Sequence, residues 1–231
     1  MKILCIIPAR GGSKGIPKKN LKLLLGKPLI YHTLQTVKKL KKKINLTPIV
    51  SSEDKKILNY CKKQGFESDY IRPKKIANDK SRLSSCVKDL VDFYKKKGKS
   101  FETIIVLQPT TPLRKISEII KAINKLKKEN LESIMSVTPL REHPNESIIF
   151  KNKKWNYLVK PKKNYYGRQE FSKKFFFIDG SFYIFKTNFF LKNNSFISLK
   201  KTYPFILDRV WPIDIDYEED FLHAEIIMKN N

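Results

Sequence analysis

The stretch Leu4–Pro28, "LCIIPARGGSKGIPKKNLKLLLGKP", decides how the chain is built. A short apolar run, Ile3–Ile7, predicts a buried strand, and it passes directly into a loop holding Arg10, Gly11, Gly12, Ser13, Lys14 and Gly15. Glycines there let backbone N–H groups wrap phosphate oxygens at the carboxyl end of a strand. Arg10 adds a rigid fork of donors, Lys14 and Lys19 add point charges, and Pro17 fixes the path of the loop. Spacing excludes two common phosphate grips. Counting from Gly11, the sixth residue is Ile16, where a P-loop needs glycine, and Ser13 stands at the second glycine of the dinucleotide fingerprint. What remains is a glycine-flexible basic loop whose natural guest is a triphosphate.

Outward from this loop, apolar runs alternate with helical patterns. Pro28–Lys42 reads as a helix with proline in its first turn, "TPIVSS" as a second strand, and residues from about Glu53 to Lys63 as a helix stopping at Gly65. "DYIRP" reads as a short third strand, Ser84–Lys97 as a helix ending at Gly98, and "TIIVLQP" as a buried strand. A helix over Ile116–Lys128 and the strand "ESIMSVTP" follow. This grammar predicts an α/β fold, Rossmann-like, with a mostly parallel sheet flanked by helices. Such sheets bind ligands at the carboxyl ends of their strands, here after Ile7, Val50 and Leu107.

Past Pro139 the pattern turns aromatic and turn-rich, through "IIFKNKKWNYLV" and "KKFFFIDGSFYIFK". Alternation around Asp179-Gly180 suggests an antiparallel excursion with a hairpin there, carrying more aromatic surface than a lone hairpin buries. A last helix is expected from about Glu218 to Lys229. The expected division is a nucleotide-binding core over 1–139, a β-rich excursion over 140–186 serving dimerisation and a sugar site, and a return to the core over 187–231.

The chain has 231 residues, 41% hydrophobic, enough to bury a full core. Its formal charge of +26 raises nucleic-acid binding, because clustered cations neutralise phosphates and release counterions. Only seven of the 48 basic residues are arginine, however, and runs such as Lys41–Lys43 and Lys95–Lys97 fall late in predicted helices, where cations complement the dipole. Solvated helix surface is the better reading, and no nucleic-acid partner is expected. The first apolar run is too short to span a membrane, so no membrane association is expected. Cys5, Cys61 and Cys86 sit at unrelated spacings that fit neither disulfides nor a metal cluster, which suits a reducing cytoplasm.

Taken in order, "IIPARGGSKGIPKKNLK", "VSSEDKKI", "YIRPKKIANDKS", "LQPTTPLR", "GRQ" and "DIDYEEDF" resemble the acylneuraminate cytidylyltransferase family over Ile6–Phe221. Members of that family make CMP-activated sialic acids and related nine-carbon acids. The resemblance implies a glycosyltransferase-A-like nucleotidyltransferase fold, CTP and a nonulosonate sugar acid as substrates, and a homodimer. It implies that Arg10, Gly11, Gly12, Ser13, Lys14, Lys19, Asn20, Arg72 and Gln108 hold CTP, with Lys19 near the α-phosphate. Gln108, Arg168 and Gln169 would face the sugar acid, where a fork-shaped cation suits a carboxylate. Asp214 and Asp216, at i and i+2 on one face of an extended segment, would hold Mg²⁺. Arg10, Lys19, Asp214 and Asp216 would then be the catalytic set, and no side chain stands out as a general base. A cytidylyltransferase for 3-deoxy-octulosonate is the alternative within the same reaction.

Two departures stand out. Asp179-Gly180 replaces the Asn-Gly common in the family, so either an extra carboxylate faces the sugar side or the aspartate fits the same turn. Arg82 and Leu83 interrupt the serine run over residues 81–85, leaving its nucleotide contact unassigned.

Overall fold

The computed structural model describes residues 1–13, 15–140, 142–160, 174–207 and 213–230. The first half carries β1 (Ile3–Pro8), the short pair β2 (Leu23–Leu24) and β3 (Lys27–Pro28), α1 (Leu29–Lys41), β4 (Leu46–Ser51), α2 (Lys55–Lys63), α3 (Leu83–Lys96) and β5 (Thr103–Val106). The second half carries α4 (Ile116–Lys128), β6 (Ser133–Pro139), β7 (Ile148–Lys151), β8 (Lys154–Tyr157), β9 (Phe176–Lys186), α5 (Thr187–Asn193), β10 (Thr202–Ile206) and α6 (Glu218–Lys229).

Six strands form the central sheet in the order β10-β6-β9-β5-β1-β4. β1 runs parallel to β4 and β5, and β10 parallel to β6, while β9 is antiparallel to both β5 and β6. The sheet is thus mostly parallel, as the βα alternation predicts. Strand alternation divides the interior in two. Ile3, Cys5, Ile7, Ile105 and Ile184 pack with apolar residues of α1, α2 and α4 on one face. Leu4, Ile6, Ile104, Val106 and Phe185 pack with α3 and α5 on the other. Each such side chain contributes about 1.5–3 kcal/mol when fully buried. A third cluster, Ile16, Leu24, Leu29, Ile215 and Phe221, ties the loop after β1 to the segment leading into α6.

Two expectations are corrected. "DYIRP" forms no strand, because β4 is the edge of the sheet and this segment only crosses its end. It is anchored instead by single bonds: Arg72 N donates to Ser52 O at 2.9 Å, and the Tyr70 hydroxyl to Asp89 at 2.6 Å. Asp179-Gly180 is not a hairpin turn but an irregularity inside the continuous strand β9, where its register against β6 shifts between Met135 and Val137. Gly180 takes φ +67°, the left-handed value glycine favours. Asp179 is buried: its carboxylate accepts from Ser136 Oγ at 2.5 Å, Ser181 N at 3.0 Å and Ser181 Oγ at 2.7 Å. Of the two readings of this aspartate, the structure favours the one in which it shapes its own backbone. β9 itself lies in the middle of the sheet, beyond any appendage.

The three cysteines are free and buried. Burial pushes the thiols of Cys5 and Cys61 up to about 12, so neither is a thiolate at neutral pH. Among the described residues, no helix is long and apolar enough to cross a membrane.

Candidate active site

A cavity of about 300 Å³ opens at the carboxyl ends of β1 and β5, bordered by Arg72 beyond β4 and by residues 81–83 where α3 begins. Arg10, Gly12, Ser13, Lys19, Asn20, Arg72, Gln108, Asp214 and Asp216 all line it. Four stretches separated by up to some two hundred positions therefore meet at one place. Lys14, Arg168 and Gln169, also expected in the site, lie outside the described residues.

The loop after β1 is fixed from beneath. Asn20 Nδ2 donates to Arg10 O at 2.8 Å, and Gly11 N donates to Glu53 Oε1 at 2.8 Å. Gly11 thus turns its N–H away from the cavity, unlike the role expected for it. Asp54 caps α2 by accepting from Lys56 N at 2.7 Å, and its Cβ side leaves no room for a side chain at Gly11. At the far end of the loop, a Cβ on Gly15 would overlap the carbonyl of Asp216, so the loop folds closely onto the segment carrying the two aspartates.

Lys19 is nearly buried, at 9% exposure, and its ammonium donates to Ile215 O at 2.6 Å and Asp216 Oδ1 at 2.7 Å. Asp214 stands two residues back, largely enclosed. Burial raises its carboxyl above the ordinary carboxylate range, and the nearby Asp216 charge raises it further, against a Thr110 hydrogen bond and the charges of Lys19 and Arg114. On the opposite wall, Arg72 is 5% exposed, with Nε donating to Ser51 Oγ at 3.0 Å and Nη2 to Ser51 O at 2.7 Å. Its guanidinium is thereby oriented before any ligand arrives.

Gln108 is held by a neighbour to which sequence reasoning gave no role. Arg114 donates through Nε to Ser181 O at 2.6 Å, through Nη1 to Thr33 Oγ1 at 2.9 Å, and through Nη2 to Gln108 O and Thr111 Oγ1. One half-buried fork so fastens the loop after β5 to the irregular part of β9. Gln108 Nε2 faces Gly180 O at 3.5 Å, and a Cβ on Gly180 would come within 2.8 Å of that nitrogen. Arg114 stands inside the quoted "LQPTTPLR", but nothing in local pattern says where its donors go. Asn78, Asp79, Ser81 and Arg82 also line the cavity. Ser81 donates to Asn78 Oδ1 at 3.0 Å, which places that serine, among those between 81 and 85, at the cavity.

The sheet order with β9 antiparallel in its midst, the basic loop after β1 and the carboxylates opposite it suit a nucleotidyltransferase. The chain belongs to the cytidylyltransferase family, whose model matches residues 4–230. It is 33% identical over 239 residues to the CMP-N,N'-diacetyllegionaminic acid synthase of Legionella pneumophila, covering 100% of this chain and 98% of that protein. It is 29% identical over 231 residues to the pseudaminic acid cytidylyltransferase of Campylobacter jejuni strain 81-176, with the same two coverages. With the N-acylneuraminate cytidylyltransferase of Streptococcus agalactiae strain NEM316 it shares 27% identity over 97% of this chain but spans only 52% of that longer protein. A solved structure of CMP:2-keto-3-deoxy-manno-octonic acid synthetase complexed with CTP matches over 100% of this chain and 99% of its own, with a TM-score of 0.69 at 14% identity, which establishes a common fold.

Proposed function

We propose that this chain joins CTP to a nine-carbon sugar acid, giving the CMP-sugar and pyrophosphate. The observation that carries the reading is the convergence of nine expected site residues on one cavity, with cations on the loop after β1 facing carboxylates before α6. The anomeric hydroxyl of the acid attacks the α-phosphorus in line, its proton is released, and pyrophosphate departs. Arg10 and Lys19 hold the phosphates and stabilise the charge developing on them, while the Asn20 anchor and the Arg114 fork keep the loops in register. Gln108, with Arg168 and Gln169, orients the sugar acid.

Asp214 and Asp216 suit Mg²⁺. Mg²⁺ is commonly held by one or two carboxylates and otherwise by waters and substrate phosphates, and both of these side chains line the cavity. The raised carboxyl of Asp214 is one that a divalent cation would relieve. Bound there, Mg²⁺ supplies Lewis-acid polarisation of the phosphate.

The assembly proposed is a homodimer. Ile148, Ile149, Phe150, Trp155, Tyr157 and Leu158 are exposed on the β7–β8 hairpin, and Phe176, Phe177 and Ile178 are exposed at the start of β9. A second copy covering this surface is the partner that such an exposed apolar patch calls for. The enzyme works in the cytoplasm, where its buried thiols stay reduced.

The test is mass spectrometry of products from CTP with N-acetylneuraminate, legionaminate, pseudaminate and 3-deoxy-octulosonate. A CMP adduct of at least one nine-carbon acid is expected. Turnover with the octulosonate alone overturns the substrate reading.

A further inference from the structure

Arg10 is already bound. Its Nη1 lies 2.7 Å from Asp79 Oδ1, across the mouth of the cavity, and both side chains are about one-third exposed. The turn that presents Asp79 is organised by its neighbour: Asn78 Oδ1 accepts from Lys80 N at 3.0 Å and from Ser81 Oγ at 3.0 Å, while Asn78 Nδ2 donates to Lys75 O at 2.9 Å. Asp79 therefore sits at the crest of a braced turn. Arg10 in turn has its own carbonyl tied by Asn20. Neither partner meets the other by chance of a long tether.

A carboxylate and a phosphate compete for the same guanidinium fork, because both present paired oxygens at similar spacing. We infer that Asp79 is a specificity residue of the nucleotide site: it occupies Arg10 as a built-in counter-ligand, so that only a ligand bringing enough anionic charge to displace it gains that arginine. CTP brings three phosphates, whereas the nucleoside brings none. The inference rests on the reading of Arg10 as a phosphate ligand, and it reverses the usual expectation for a residue lining a site, since removing Asp79 should strengthen binding. A partly exposed ion pair couples weakly, which sets the gain at about two- to five-fold in Kd.

The experiment is a binding cycle by calorimetry at constant ionic strength, using wild type, Asp79→Asn, Arg10→Ala and the double variant, with CTP and with cytidine. Asp79→Asn should tighten CTP two- to five-fold and leave cytidine unchanged, and the gain should shrink in the Arg10→Ala background. Weaker CTP binding by Asp79→Asn, or an equal gain with and without Arg10, overturns the inference: the first makes Asp79 a supporting residue, the second makes the effect one of general charge. If Arg10→Ala binds CTP as tightly as wild type, the phosphate reading of Arg10 fails and the counter-ligand with it. If Arg10→Ala weakens CTP but Asp79→Asn changes nothing, the counter-ligand alone fails.

Discussion

The ammonium of Lys19 lies 2.7 Å from the carboxylate of Asp216, a residue 197 positions further along the chain. This contact joins the first loop of the fold to its last, and it puts a nearly buried cation beside the proposed metal ligands. Lys19→Met keeps the apolar stem and removes the charge. Turnover, followed by pyrophosphate release, should fall about a hundred- to a thousand-fold, the range for losing a donor aimed at developing charge. The fold should survive with a loss of about 1–3 kcal/mol, because water can replace the partner of the 65% exposed Asp216 side chain while the buried Ile215 O loses its donor. Near-wild-type turnover would remove Lys19 from the chemistry.

Asp214 links the site to pH. Its carboxyl is raised in the folded chain, so over the window from the ordinary carboxylate value to the raised one the native state binds more protons than the unfolded state. Stability attributable to this group is present in acid and is lost as pH rises through that window. Asp214→Asn carries no such charge. The variant should melt higher than wild type at neutral pH, and the difference should close on acidification to about pH 3. A difference in melting temperature that does not change with pH would contradict the burial argument.

Close packing of the loop on the aspartate segment predicts a contrast between two glycines. Gly15→Ala must push against the backbone of Asp216, whereas nothing lies within 4 Å of a Cβ on Gly12. Gly15→Ala should be destabilised by about 1–3 kcal/mol, as expected for overpacking, and Gly12→Ala should melt within about a degree or two of wild type. Equal melting temperatures for the two variants would show that the loop does not rest where the structure has it.

Arg114→Lys tests the fork. A lysine cannot reach Ser181 O, Thr33 Oγ1, Gln108 O and Thr111 Oγ1 together, so acceptors are left unpaired. Urea unfolding should show a loss of about 1–3 kcal/mol. Because the same fork sets Gln108, the KM for the sugar acid should rise more than the KM for CTP; unchanged KM values would make Arg114 purely structural.

The sheet was legible where apolar runs are uninterrupted, as in Ile3–Ile7 and Thr103–Leu107, because strands covered on both faces carry no polar alternation to confuse with a helix. "DYIRP" misled because Tyr70 is buried, but against α3 and at the sheet's edge, a placement that no local pattern distinguishes from a strand. Asp179-Gly180 misled for the opposite reason: the same φ that suits a tight turn also suits a bulge, and only the pairing partners decide. In the site, loop chemistry announced Arg10 and Lys19, and the family resemblance added Ser13. Asp79 and Arg114 left no such mark, since their significance lies entirely in the residues they meet across the fold.

β9 is the joint of the whole sheet. Among the described residues β5 and β6 do not pair with each other, and the group β4-β1-β5 and the group β6-β10 are joined in the sheet through a strand that begins at Phe176. During synthesis the ribosome delivers β6 long before this joint exists, and the apolar edges of β5 and β6 stay open until it arrives. A chain stalled or clipped short of Phe176 lacks β10 as well as β9, so one edge of β5 and both edges of β6 face any other chain nearby, which should make truncated products of this protein prone to aggregate and an early burden on the cell's chaperones.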